Sequence, residues 1–182
     1  MSIYDHEKSI RLAGDLLRDI PKGAEAAAAR AFNRALEAGR AAAVREVTKR
    51  YTVKAKDVRP TFSMKKASKS NLNAELVSRG IALPLRAFEH KPTTDTTGKR
   101  RKPVRVTITS GKTSVFTTSF VWNRNIFGRL GDKRLPIYKM VGSSVPGMLG
   151  SDEISDDVQN VMAEAAEKRL AHELNRLAEG ER

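Results

Sequence analysis

The sequence predicts an α+β fold with N-terminal helices, a central antiparallel β-sheet made of hairpins, and a C-terminal helix. Three observations predict it. Residues 24–50 are rich in alanine and place larger apolar side chains three or four apart, the period of a helix. Residues 104–141 instead alternate β-branched or aromatic residues with polar ones around Gly-containing turns. The helical patterns also sit at the two ends of the chain, which disfavours the alternating strand and helix of a parallel sheet.

Taken in order, Ile10, Ala13, Leu17 and Ile20 give a first helical period over 5–20, stopped by "PKG" at 21–23. The next helix runs over 24–50, with Phe32, Leu36, Ala43 and Val47 along one stripe. "KAKDVRP" reads as one short helical turn ending before Pro60. "TFSMKKAS" and "LNAELVSRG" read as strands, with Leu72, Ala74 and Leu76 on one face. Pro84 interrupts "IALPLRAF" and places it at an edge or a bend. "EHKPTTDTTGKRRKP" at 89–103 reads as a loop. Val104, Val106 and Ile108 then alternate with Arg105, Thr107 and Thr109 in the clearest hairpin, which turns at "SGK". "NIFGRL" and "RLPIYKMVG" form a second hairpin around "GDK". The last helix covers 151–179, with Asp152, Glu153, Asp156 and Asp157 at its start and Lys168, Arg169 and Arg176 later, an order that suits the helix dipole. This divides the chain into a helical arm (1–23), an α+β core (24–150) and a C-terminal helix (151–182).

The 182 residues suffice for one domain, and none of them is cysteine, so no disulfide framework or thiolate metal site is available. The first residues are charged too early for a secretory signal, and no run reaches the roughly 20 apolar residues of a membrane span. A soluble protein made inside the cell is expected. The net charge of +13 is unevenly placed: residues 45–113 hold 18 Lys/Arg against 5 Asp/Glu, and the flanking thirds are nearly neutral. A surplus of that kind reads either as a contact for a polyanion or as a solvated surface. Its densest run is Lys99, Arg100, Arg101 and Lys102, which suits phosphate neutralisation without base reading.

Catalytic patterns fail one by one. "GKT" at 111–113 lacks the first glycine of a phosphate-binding loop, since Val106 stands there, and it sits in a hairpin turn. "GSSVPG" has Pro146 where a nucleophile elbow needs glycine. His6, His90 and His172 are isolated from one another, and Asp156 and Asp157, being adjacent, diverge on a helix. No catalytic, cofactor or metal residue is expected. Phe120 and Trp122 near Arg124 read as sheet core or as a stacking surface for bases.

Two stretches together carry a resemblance. "AARAFNRALEAGRAAAVREV" at 28–47 resembles the early helix of the phage minor tail protein Z family, whose "RAxNR" hallmark is matched by Arg30, Ala31, Asn33 and Arg34. "IFGRLGDKRLPIYKMVGSSVPGML" resembles that family's C-terminal signature at Phe127, Arg129, Arg134, Leu135, Pro136, Ile137, Gly142, Ser144, Val145 and Pro146. Ser143 stands where the family pattern usually has proline. The resemblance spans roughly residues 10–155. It implies a tail-completion protein of a phage or prophage, a non-enzymatic assembly component at the head-proximal end of the tail in the virion, made in the cytoplasm of the bacterial host. It further implies a homo-oligomeric ring that meets other tail and head-connector proteins, with DNA in the channel. The ten signature residues are then candidates for a partner interface, and Lys99–Lys102 for a DNA-facing fringe. A basic, sequence-independent DNA-binding protein is the competing expectation.

Overall fold

A computed structural model of the chain describes residues 23–96, 103–131 and 133–179. The fold is α+β. Helix α1 (Ala24–Arg50) is followed by α2 (Ala55–Val58), a 3₁₀ turn at Arg59–Thr61, β1 (Phe62–Lys65) and β2 (Glu75–Ser78). A second 3₁₀ turn at Leu85–Ala87 leads into β3 (Glu89–Lys91), β4 (Val104–Thr109) and β5 (Lys112–Phe116). Strands β6 (Phe120–Trp122), β7 (Asn125–Arg129) and β8 (Ile137–Lys139) precede helices α3 (Val145–Leu149) and α4 (Asp152–Ala178). The strands form three sheets rather than one: β1-β2, β3-β4-β5 and β6-β7-β8, the last two antiparallel throughout. The predicted arm at 1–23 lies almost wholly outside the described residues.

The backbone divides into two compact units. One takes the chain up to Gly39, then 64–76 and 160 onward. The other takes 40–63 and 77–159.

In the first unit, alanine decides the packing. Eleven of the 27 residues of α1 are alanine, which lose no side-chain entropy on helix formation and leave a thin surface. Gly39 extends this thinness to its limit: a Cβ there would lie 2.4 Å from Met162 Cγ of α4. Asn33 clamps the loop after β1 by a reciprocal pair of bonds. Its Nδ2 donates to Ala67 O (3.0 Å) and its Oδ1 accepts from Ala67 N (2.8 Å).

In the second unit, Val44, Val47, Val53, Val58, Leu85 and Phe88 join Val104, Val106, Val121, Ile126, Val145 and Met148 in one apolar core. The alternation predicted for β4 is observed, with Val104 and Val106 buried and Arg105 exposed. The β4–β5 hairpin turns at Gly111, whose φ of +81° suits a residue without Cβ. Thr52 N donates to Ile108 O (3.0 Å) and Ser110 N to Arg50 O (2.8 Å), which ties the end of α1 to β4. Arg50 also pairs with Glu153 and, at 3.3 Å, with Asp157 in the first turns of α4.

Two elements depart from the expected layout. Residues 89–91 form a strand, not a loop: "EHK" is polar because β3 is an edge strand with only His90 half-buried. The segment 145–149, between the second predicted hairpin and the last predicted helix, is a short helix. Ser144 is its N-cap, its Oγ accepting from Gly147 N at 3.2 Å, and Pro146 occupies the first turn, where its missing N–H costs nothing.

Candidate functional site

The β6-β7-β8 sheet turns one face to the core and the other outward. Val121, Ile126 and Gly128 lie on the inner face, and all three are buried. Gly128 is covered by the Tyr138 ring of β8, whose Cζ would be 2.6 Å from any added Cβ. The strand register puts Phe120, Trp122, Phe127, Arg129, Ile137 and Lys139 on the other face. Four of them form a continuous row. The Arg129 guanidinium lies 5.1 Å from the Phe120 ring centre, Phe120 stacks on Phe127 at 6.0 Å, and Phe127 meets Trp122 at 5.7 Å. Arg129 Nη1 donates to Arg134 O (2.9 Å) and so closes the β7–β8 hairpin. The tip beyond it is apolar and open: Leu130 is 77% exposed and Leu135 66%. With Val141, Trp122 and Tyr138, these are five of the seven large exposed hydrophobic residues among the described residues.

The ten signature positions therefore separate into two groups. Phe127, Arg129, Arg134, Leu135, Pro136 and Ile137 belong to the outward face and tip of the hairpin. Gly142, Ser144, Val145 and Pro146 serve the chain's own fold. A Cβ on Gly142 would meet Phe88 Cε2 at 2.7 Å, Ser144 caps α3, Pro146 fills its first turn, and Val145 has 0% exposure in the core. The hallmark of the early helix is internal too. Asn33 holds Ala67, and Ala31 is fully buried. Arg30 meets the buried carboxylate of Glu173 at 2.6 Å, and Arg169 meets it at the same distance from the other side. The Arg30 hydrogen bond and the charges of Arg30, Arg169 and Arg176 hold the Glu173 carboxyl below its ordinary value, against the opposing effect of burial.

Lys99, Arg100, Arg101 and Lys102 lie outside the described residues. The other fourteen cations of 45–113 are described, and all but Arg50 are exposed. Lys54, Lys56 and Arg86 line a cleft of about 280 Å³ with Asp57, Leu83, Pro84 and Ala87. On β3-β4-β5, Lys91 sits directly opposite Arg105. The sequence concealed this juxtaposition, because "EHK" had no strand period to pair with "VRV". In the first unit, Arg34, Lys168, Arg169 and His172 line a hollow of about 370 Å³. Among the described residues, no cluster of three His, Cys, Asp or Glu side chains is placed to hold a metal ion, and no helix is long and apolar enough to cross a membrane.

Comparison of the chain with known protein families, with curated proteins and with solved structures finds no match.

Proposed function

We propose that this chain is a structural component of a phage or prophage tail, of the minor tail protein Z type, that completes the head-proximal end of the tail for head–tail joining. One observation carries the reading: five of the seven large exposed hydrophobic side chains among the described residues, Trp122, Leu130, Leu135, Tyr138 and Val141, lie in or next to the β6-β7-β8 sheet, and the last four fall in the segment whose sequence resembles the family signature. Exposed hydrophobic side chains scattered singly need no explanation, but their concentration around one small sheet, beside an arginine among aromatics, has the composition of a protein–protein interface. In this reading the hairpin face contacts a neighbouring copy in a homo-oligomeric ring or a head-connector protein. The role is assembly, not catalysis, with the protein residing in the virion after its synthesis in the host cytoplasm.

The test is direct imaging and sedimentation of the purified chain, alone and added to tails that lack it. The reading expects closed rings, or one density at the head-proximal end of the tail, and restored joining to heads. A chain that stays monomeric and leaves tails unaltered at a large excess would overturn it. Sequence-independent DNA binding is the second reading, favoured by the exposed and unpaired cations of the basic segment.

A further inference from the structure

The basic residues of 45–113 differ in how they are satisfied. Arg45, Lys49, Arg50 and Lys66 have acidic partners within 4 Å. The other ten have none among the described residues; five of these, Lys54, Lys56, Arg86, Lys91 and Arg105, are exposed members of the second unit that the fold gathers around one end of the β3–β4 ladder. Their placement is not arbitrary. Thr52 Oγ1 accepts from Glu89 N (3.0 Å) and donates to Thr107 O, which pins one end of the β3–β4 ladder. Lys54 follows Thr52 by two residues and Arg86 precedes Glu89 by three, so their cleft opens beside this end. The Lys91–Arg105 rung lies two residues further along the ladder, about 7 Å away.

That rung continues to Val115, so it holds two positive charges and no acid. Like charges placed opposite one another on a sheet are unfavourable for folding. A fold tends to keep such local conflicts where a ligand resolves them. Asp57 lines the cleft and Glu89 stands at the pinned end of the ladder, and no ion pair joins either of them to these five cations among the described residues. Among the described residues, the exposed aromatics, Trp122 and Tyr138, belong to the other sheet, and none stands on the basic surface as a platform for stacked bases. Lysines and arginines without aromatics suit phosphates on the outside of a duplex, contacts that position a nucleic acid without reading it.

We infer that the cleft of Lys54, Lys56 and Arg86, together with the Lys91–Arg105 rung, binds the phosphate backbone of double-stranded DNA independently of sequence. The choice of DNA among duplexes rests on the tail reading. The surface itself does not, so the assay uses the free chain, in which failure to assemble leaves DNA binding intact. Binding of a fluorescent 24-base-pair duplex of arbitrary sequence is followed by anisotropy from low to high NaCl. Each phosphate that is no longer neutralised flattens the log–log salt slope by about 0.9. Lys54→Ser/Lys56→Ser/Arg86→Ser should flatten it by up to about 2.7, and Lys91→Ser/Arg105→Ser by up to about 1.8. Lys54→Arg/Lys56→Arg/Arg86→Lys should keep the slope, and Lys69→Ser/Lys168→Ser, removing two exposed cations of the other unit, should leave it unchanged. Thermal melts check that every variant is folded, and Lys91→Ser/Arg105→Ser should melt no lower than the parent because it relieves a repulsion. Slopes unchanged in both test variants, or flattened equally by the Lys69/Lys168 control, would overturn the site. Equal competition by polyglutamate, or tighter binding of an RNA duplex, would overturn its assignment to DNA.

Discussion

Glu173 shows how a single side chain can be central and invisible in sequence. In α4 it reads as one more charge beside a stripe of Leu170, Leu174 and Leu177, yet it is 1% exposed and flanked by Arg30 and Arg169. What makes it internal is Arg30, 143 positions earlier, and no local pattern announces a partner at that distance. The same is true of Asn33, whose bonds to Ala67 need the tertiary fold. The Glu173 carboxyl is held below 4.5, first by the Arg30 hydrogen bond. A depressed acid stabilises the fold fully above its unfolded pKa, and that contribution is lost as pH falls through the lower folded value. Glu173→Gln should therefore cost about 1.5–3 kcal/mol at neutral pH, the range for hydrogen bonds to charged groups. The parent should lose its advantage over the variant as the pH is lowered below 4.5. Parallel pH–stability curves for the two proteins would mean that the Glu173 charge does not hold this unit.

Elements of the chain were legible in proportion to their length and period. Helices α1 and α4, each of 27 residues, start and stop within about one residue of the expected positions, because alanine content, apolar spacing and terminal charges agree. The β4–β5 and β7–β8 hairpins were legible from alternation and glycine. Three-residue β3 and five-residue α3 were not: neither is long enough to show a period, and their partners, Arg105 and Thr107 for β3 and the core for Val145, are tertiary. The β6–β7 turn was hidden for another reason. Asn123 and Arg124 both take left-handed φ, 46° and 57°, as a two-residue hairpin turn requires, but arginine in place of glycine removes the usual signal. That conformation strains a side chain, and a β-branched one most. Arg124→Gly should melt at or slightly above the parent, since relief of strain is partly offset by the entropy of the unfolded chain. Arg124→Val should fall below Arg124→Gly by about 1–2 kcal/mol. Equal stability of the two variants would mean that the turn is not held left-handed in solution.

On the scale of the whole molecule, composition raised the expectation of a polyanion contact within 45–113 and the resemblance that of a partner contact at the ten signature residues, but neither told which sheets carry those residues. The fold places the five cations of the proposed phosphate surface on β3-β4-β5 and its adjoining cleft, and most of the large exposed hydrophobic side chains among the described residues in and around β6-β7-β8. That separation makes the two roles testable one at a time. The signature residues are not equivalent as probes of assembly. Arg129 caps the aromatic row and bonds Arg134 O, so Arg129→Glu should lower the melting temperature and confuse misfolding with a weakened interface. Gly142, Ser144 and Val145 would confuse them further. Arg134 and Leu135 are exposed, and their side chains have no hydrogen-bond or ion-pair partner among the described residues. Arg134→Glu/Leu135→Ser should thus change stability by no more than about 0.5 kcal/mol, as surface substitutions do. If the hairpin tip is the contact, the same variant should lose ring formation and tail completion, because it removes an apolar anchor and reverses the charge beside it. It should still bind duplex DNA through Lys54, Lys56 and Arg86. A variant that assembles and completes tails as well as the parent would move the interface away from this hairpin. A variant that loses DNA binding in step with assembly would show that the ring, and not the single chain, makes the phosphate surface.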